Sequence, residues 1–538
     1  MQHPRRMHFQ RTCRWISIAT AVTLLLVVSV LADPTLPTIP ANTFTVPAAT
    51  GIAATDTSNI ASTIATAASA GGGTVVVPAG TYLCNQFSLT SNINLHLDSG
   101  AIIQNNAPTS TLISTSGTLH DIEITGSGII DGRATNTKSS NNLVSLRHIT
   151  NVLVQGVTIQ NSSHFHLVVE EDTNLTVDNI NINDNYTVSQ HGGYLGNTDA
   201  IDYSGSHILI QNSNINAGDD DIVAKPQSTF CSDITITNNV IGAGHGISIG
   251  GQTNAGLDGL TVSHITFTGT DNGLRLKSGS AAINSSGGGG VVRNVSFSDI
   301  TMTNVDHPII INSWYNGGDH YGSNELSGSS LHNPLQFDPT NPGDPTVLVN
   351  QNDNTDLQPF FDNISYSNIT ASGGTENVAI IYGLNSIPAS PSDPLRNIDG
   401  ISFENVNLSG KYGADIYYAS NLDLSGLMVT ATNGNDMNLF GDTFVPPLSG
   451  DYSGNGTVGS NDYNTWRSNF GSQMLIAADG NGDGRTDAAD YIIWRKHFGQ
   501  TAVGGANILP VTIPEPATIA VVIMATVAMC FCRRAATQ

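Results

Sequence analysis

The sequence is poor in charge, and poorest in positive charge. Charged side chains make up 12% of its 538 residues, and 19 Lys and Arg face 43 Asp and Glu, for a formal net charge of −24. That balance argues against a nucleic-acid partner, because a phosphate backbone needs a basic face. Excess acid also keeps a chain soluble. Cysteine is scarce. Of five, Cys13, Cys530 and Cys532 lie in terminal apolar segments. Cys84 and Cys231 are too far apart in sequence to predict a bridge, so no disulfide framework is expected. Runs of Lys, Glu and Leu at helical period are few, which argues against a mainly helical fold. Residues 33–447 hold only nine Lys and Arg. An acidic substrate would need a local positive patch. Lys225, Arg275 and Lys277 fall close to one another's motifs and are the candidates for it.

Gly, Asn, Ser and Thr fill the surface instead, in a pattern of short strands and turns. A β-branched alternation recurs: Asp121–Ile124, Asn151–Val154, Asn174–Val177, His207–Ile210, Asp233–Ile236, Gly259–Val262, Asn294–Phe297, Asn363–Tyr366, Gly400–Phe403 and Asn421–Leu424. Most steps are 21 to 37 residues. The step after Asn294 is longer and carries an insertion rich in Gly, Pro and Asp at 316–355. Two or three short strands per step with no helix between them predict an all-β parallel β-helix, each coil burying its Val and Ile against the next. A propeller would need longer, more regular antiparallel blades. The recurring Asn residues are expected to stack as ladders on the inside of turns. Ahead of the ladder, Ile60, Ile64, Ala67 and Ala68 share one face of a helix capped by Asp56 or Thr57 and stopped by Gly71-Gly72-Gly73.

The ends read as addresses. Arg5, Arg6, Arg11 and Arg14 precede the apolar run Trp15–Ala32, so 1–32 reads as a secretory signal; the alternative is an uncleaved anchor. At the other end, Pro514-Glu515-Pro516 precedes the apolar run Ala517–Cys532 and Arg533-Arg534. This resembles a PEP-CTERM sorting signal, against the alternative of a plain anchor, and the arginines would stay cytoplasmic. The expected organisation is a signal (1–32), a catalytic β-helix (33–447), a small helical module (448–500), a linker (501–512) and a sorting segment (513–538). Both readings of the ends make the protein exported, extracellular or at the cell surface, with membrane contact only through the C-terminal segment.

Four motifs lie within one stretch: Asn197-Thr198-Asp199, Gly218-Asp219-Asp220, Gly244-His245-Gly246 and Arg275-Leu276-Lys277. Asp199 and Asp219 are 20 residues apart, Asp220 and His245 are 25 apart, and His245 and Arg275 are 30 apart. Each gap is close to one coil. Stacking therefore makes them neighbours about 4.8 Å apart per coil. Glycoside cleavage needs a carboxylic acid for the leaving oxygen and a carboxylate to activate water. Crowding three carboxylates should raise at least one pKa and keep an acid protonated. Arg275 and Lys277 offer partners to a substrate carboxylate. Any one of these motifs alone is more often an ordinary turn; the four in order are not.

In that order the motifs resemble the polygalacturonases, glycoside hydrolase family 28, over roughly residues 45–440. The likeness includes the segment Gly71–Tyr82, Asp202, and Tyr315 after Pro308–Ile311. The resemblance implies a right-handed parallel β-helix and inverting hydrolysis of α-1,4-galacturonide links in pectin, with no cofactor for catalysis. By position it implies Asp219 as general acid and Asp199 and Asp220 as the water-activating pair, with His245 supporting the acid. Arg275 and Lys277 would bind a galacturonate carboxylate, and Asn197 and Tyr315 would contact substrate. Inversion implies an acid-to-base separation of about 6.5–9.5 Å. Asp221, a third consecutive acid, departs from the family pattern; solvent or Lys225 is its expected partner. The 316–355 insertion has no family counterpart and would close part of the groove, favouring chain ends.

Residues 451–499 repeat themselves at 28 residues: Asp462-Tyr463 and Trp466-Arg467 return as Asp490-Tyr491 and Trp494-Arg495. The second copy has Asp479, Asn481, Asp483, Arg485, Asp487 and Asp490 at positions 1, 3, 5, 7, 9 and 12 of an EF-hand-type loop, with Gly484 at the turn. The first has Asp451, Ser453, Asn455 and Asp462. Oxygen ligands at alternate positions suit a structural Ca²⁺. An Asp at position 12 resembles a type I dockerin. That implies a cohesin-like partner; a calcium-stabilised spacer is the competing reading. For the whole chain, the competitors are rhamnogalacturonan or xylogalacturonan hydrolysis, a pectate lyase, and a non-catalytic β-helix that binds glycan.

Overall fold

A computed structural model describes residues 33–135, 137–184, 196–278, 290–313, 315, 335–336, 346–347, 359–383, 398–440, 450–452, 457–470, 478 and 486–500. The predicted N-terminal signal, the C-terminal sorting segment and most of the 316–355 insertion lie outside these. Among the described residues no helix is long and apolar enough to cross a membrane.

The corner of each coil is set by backbone conformation. The first residue of each recurring tetrad sits in the left-handed region: Asp121 at φ 54°, Asn151 at 65°, Asn174 at 59°, His207 at 56°, Asp233 at 54°, Asn294 at 55°, Asn363 at 53°. Gly259 and Gly400 hold the same place at 88° and 67°. Asn, Asp and Gly enter this region at least cost, and one such residue redirects an extended chain without ending it. The recurring Asn and Asp are therefore first a backbone requirement.

Parallel pairing then stacks the coils in register. Ile93, Ile122, Val152, Leu175, Ile208, Ile234, Leu260, Val295, Ile364 and Ile401 form one continuous column. All are buried. This is the predicted parallel β-helix, and alternation of side chains across each strand explains why every second apolar residue points inward. Burying such a side chain contributes roughly 1.5–3 kcal/mol, so the column is a main source of stability. Beside it Phe297, Tyr366 and Phe403 stack with successive ring centroids 5.1 Å apart.

Four expectations need correcting. The Asn ladders exist: Asn174 Nδ2 donates to Asn151 Oδ1 at 2.8 Å, and Asn151 Nδ2 to Asp121 Oδ1 at 2.9 Å. They run along the partly exposed rim, because the αL corner turns the side chain outward while the following Ile or Val fills the interior. The helix Ala53–Ser69 starts ahead of the predicted cap, with Ile52 at its N-cap. Asp56 lies inside it, fully buried, and accepts from Thr50, Gly51 and Leu83 N–H groups. Ile60, Ile64 and Ala67 are buried as expected, but Ala68 is exposed. The last tetrad, Asn421–Leu424, is not a strand; Asp423 makes an isolated bridge to Ser402 and the strand is Leu427–Ala431.

Toward the C-terminus two ten-residue helices, Ser460–Asn469 and Ala488–His497, sit where the duplication places them. They are related residue for residue. Trp466 Nε1 donates to Asp487 O and Trp494 Nε1 to Gly459 O, both at 2.8 Å. Asp462 and Asp490, both fully buried, accept the N–H of Gly459 and Asp487 at 2.6 and 2.7 Å. Tyr452, Val458, Ala478 and Trp494 form a small core with Tyr463, Trp466 and Tyr491. Of the predicted calcium ligands, Ser453, Asn455, Asp479, Asn481, Asp483 and Arg485 lie outside the described residues.

The aromatic stack gives a direct test. Tyr366→Ala removes the middle ring and should cost about 3–5 kcal/mol in chemical denaturation. Tyr366→Phe, which keeps both ring contacts and deletes a buried hydroxyl with no hydrogen-bond partner among the described residues, should be neutral or mildly stabilising.

Candidate active site

Parallel register brings the four motifs to one corner of the stack. Main-chain bonds link Asp199 to the coil below and Asp220 to Ala200, and join His245 N–H to Asp219 O at 2.8 Å. On the strand Asn272–Ser278, Leu274 and Leu276 enter the core, so Arg275 and Lys277 must take the other face. Ser248 pairs with Arg275 in register. Its hydroxyl accepts from Arg275 Nε at 3.1 Å and donates to Asp220 Oδ1 at 2.9 Å.

Asp220 is the hub. Arg275 Nη2 bonds its Oδ1, Lys277 Nζ lies 2.9 Å from Oδ2, and Lys225 Nζ 3.8 Å from Oδ2. Burial alone would raise its pKa. Lys277, Arg275 and Lys225 outweigh that and hold the carboxyl well below the usual range. Asp199 receives Lys225 Nζ at 3.2 Å, and the same ammonium is 3.9 Å from Asp202. Burial, with the charges of Asp219 and Asp220 added, pushes Asp199 up to about 7 against the pull of Lys225. Asp202, also buried, is pushed well up by burial and by Asp199. Lys277, held down to about 8 by burial and by Arg275, stands 4.9 Å from the centre of the Tyr315 ring.

Asp219 is the carboxylate within reach of solvent: its side chain is 17% exposed, against 3% for Asp199 and 2% for Asp220. Its Oδ2 accepts the Asn197 N–H at 2.6 Å and its Oδ1 meets His245 Nδ1 at 2.9 Å. Burial pushes Asp219 up, but the hydrogen bond and charge of His245 hold it well below the ordinary value. The expected rise therefore falls on Asp199 and Asp202, where burial and neighbouring carboxylates outweigh the single ammonium of Lys225. His245 is lowered by burial but raised more by Asp219 and Asp271, to about 9. Asp271 Oδ2 lies 3.5 Å from His245 Nε2.

Asp221 does not turn to solvent or to Lys225. Its fully buried carboxylate accepts the Gly246 N–H at 2.9 Å and the Ala217 N–H at 3.3 Å. A β-carbon on Gly244, which has φ +139°, would sit 2.4 Å from Asp221 Oδ2. The first glycine of Gly244-His245-Gly246 thus makes room for Asp221, and Asp221 clamps the turn that presents His245.

Asp271, Ser248 and the buried pair His166–Asp184 were not singled out from the sequence. His166 donates its main-chain N–H to Asp199 O at 2.8 Å, and its Nε2 lies 2.7 Å from Asp184 Oδ1. Asp271 stands 26 residues after His245 and Ser248 stands 27 before Arg275. The one-coil spacing rule, applied beyond the motifs, finds both.

Among the described residues, Asp219, Asp220 and His245 bring donor atoms within 4.8 Å of one another. Arg275, Lys277 and Lys225 already neutralise this set, which disfavours a divalent cation there. The same distance places an Asp219 oxygen closer to an Asp220 oxygen than the 6.5–9.5 Å expected of inverting carboxyl groups, as consecutive residues on one turn must be.

Several carboxylates gathered in one groove, one of them within reach of solvent, are the equipment of a glycoside-cleaving enzyme. Residues 69–333 match the sequence model of Glycosyl hydrolases family 28. Over that stretch, just under half of the chain, the protein is similar to the glycoside hydrolases of this family. It is 28% identical over 364 residues to a polygalacturonase of Medicago sativa, covering 62% of this chain and 73% of the relative. It is 31% identical over 277 residues to an endo-polygalacturonase of Pectobacterium carotovorum subsp. carotovorum, covering 44% of this chain and 65% of that one. In structure it is similar to an exopolygalacturonase from Thermotoga maritima (TM-score 0.52, 18% identity, 73% of this chain and 93% of the other), a likeness of fold.

Asp221→Ala should strip the Gly246 N–H of its side-chain partner and cost about 1–3 kcal/mol. Burial raises the Asp221 pKa well above its ordinary value, so the folded state binds that proton more tightly than the unfolded state. Its contribution is full below the unfolded carboxylate value of about 4 and is lost as pH rises through the folded value. Denaturation measured across pH should show a smaller loss of stability with rising pH in the variant than in the parent.

Proposed function

We propose that the protein cleaves α-1,4-galacturonide links of pectin by inverting hydrolysis. The observation that carries this reading is the division of labour among the carboxylates. Asp219 is reachable and lies 2.9 Å from His245 Nδ1, whose raised proton affinity it supports. Asp220 is locked by Arg275 and Lys277. Asp199 is buried with a raised proton affinity.

In this reading the His245–Asp219 pair holds one proton, which belongs to the pair rather than to either member. Asp219 gives it to the glycosidic oxygen as the bond to the anomeric carbon breaks. A water attacks that carbon from the opposite face, and its proton passes to Asp199, with Asp220 orienting it. A carboxylate lifted to about 7 is a better base near neutrality than an ordinary one. Arg275 and Lys277 would bind the substrate carboxylate; an ammonium has three N–H donors, and Asp220 does not exhaust them. Asn197 and Tyr315 would border the sugar. The names of the relatives, a polygalacturonase and an endo-polygalacturonase, agree with this choice of substrate.

For the rest of the chain we propose what its motifs imply: export by residues 1–32, a sorting segment at 513–538, and a calcium-binding, dockerin-like module at 448–500. Asp462 and Asp490 fit such a module, since a fully buried carboxylate needs a cation or several donors. A bound Ca²⁺ would tie each loop to its helix. A cohesin-like partner belongs to the same reading.

Incubation with polygalacturonate in chelator should release reducing ends without unsaturated products; unsaturated products would make the enzyme a lyase, and no cleavage of any pectic polymer would make it a binder. Asp219→Asn should lose turnover by roughly 10²–10⁴-fold while still binding polygalacturonate. Activity should rise with pH through about 7, as Asp199 ionises, and fall from about 8 to about 9, as first Lys277 and then His245 lose their protons. Asp271→Asn should move the alkaline limb of kcat/KM to lower pH and leave the acid limb in place.

A further inference from the structure

We propose that Lys138 forms a second carboxylate-binding subsite, on the N-terminal side of Asp219 along the stack, that holds another unesterified uronate of the bound chain. The inference rests on the polygalacturonate reading above and extends it.

Most cations among the described residues are already engaged. Arg147 pairs with Glu170, Arg293 with Asp258, and Arg133 donates to Asn105 O. Lys411 stands over the Tyr412 ring, and Lys225, Arg275 and Lys277 share the buried aspartates. Lys138 is exposed, and among the described residues it has no ion pair, hydrogen bond from its ammonium or ring contact. Its position is not arbitrary. Lys138 Nζ and Asp219 Oδ2 each lie 3.7 Å from the point where a β-carbon on Gly196 would stand. The ammonium and the carboxylate therefore border one space over Gly196, each within ordinary contact of it.

The Lys138 segment is also anchored. Ser139 N–H donates to Ser163 O at 2.8 Å and the two hydroxyls meet at 2.9 Å. The next residue, His164, bonds Asn142 Oδ1 through Nδ1 at 2.8 Å and lies against Phe165, over which Lys225 Nζ stands at 5.6 Å. Burial, then the charges of Lys138 and Lys225, push His164 down to about 4, so this wall is a neutral imidazole at working pH. Lys138 thus stands beside a neutral ring, with the Asp219 carboxylate on its other side.

The geometry fits a polyanion. Arg275 and Lys277 lie on coils C-terminal to Asp219, and Lys138 on a coil N-terminal to it, as the parallel pairing orders them. A chain laid along the stack would meet cations on both sides of the acid. A neutral glycan would gain nothing from Lys138, whereas a uronate carboxylate supplies an ion-pair partner, of which Lys138 has none among the described residues.

The test is steady-state kinetics on polygalacturonate at low and high salt with the parent, Lys138→Gln, Lys138→Arg and, as an equal charge change far from the site, Lys411→Gln. Lys138→Gln should raise KM roughly three- to tenfold at low salt with kcat within about twofold, and flatten the salt dependence of KM. Lys138→Arg and Lys411→Gln should behave as the parent. An unchanged KM in Lys138→Gln, or an equal rise in Lys411→Gln, overturns the subsite while leaving the hydrolase reading intact. A parent that does not cleave polygalacturonate overturns both.

Discussion

Everything in this molecule depends on parallel strands held in register from one coil to the next. The register is maintained by corners that only a few residue types adopt readily, and by a continuous aliphatic interior. Asn151, Asn174 and Asn294 do the first task through positive φ. Ile122, Val152 and Leu175 do the second through burial. A slip of one residue would turn Arg275 and Lys277 inward and Leu276 outward, so the site and the core are specified by the same alternation.

That constraint lets an acidic chain place its few cations where they matter. A buried charge is costly unless it is paired and hydrogen-bonded. Asp220 meets that requirement with Ser248, Arg275 and Lys277, side chains from two further coils. No single coil could supply them. The same logic separates three nearby carboxylates chemically. Asp220 faces cations and stays ionised, Asp219 faces a protonated imidazole and stays ionised beside it, and Asp199, buried near two negative charges with one ammonium against them, rises to about 7. Asp221, next in sequence, belongs to none of these roles; it fastens the His245 turn from beneath.

Much of the fold was legible because its signals are local and repeated. The tetrads, the helix before Gly71, and the 28-residue duplication around Trp466 and Trp494 all reappear as elements. The misses were of another kind. Asn421–Leu424 has a strand's composition but no full partner coil, and pairing decides whether an extended segment becomes a strand. Asp56 reads as a helix cap, yet it bonds Leu83 across 27 residues, which no window around residue 56 contains.

The site divides in the same way. One-coil spacing was enough to predict that Asp199, Asp219, Asp220, His245, Arg275 and Lys277 would meet, because a stack converts sequence distance directly into adjacency. It was not enough to say which carboxylate is reachable, which is neutralised, and which points inward. Those outcomes depend on the direction of each side chain at the coil corner and on partners such as Ser248 and Asp271, whose identity carries no motif. Sequence by itself determined the repeat, the class of chemistry and the residues brought together. The tertiary structure decided their protonation and exposure, because both depend on the sum of neighbours contributed by several coils.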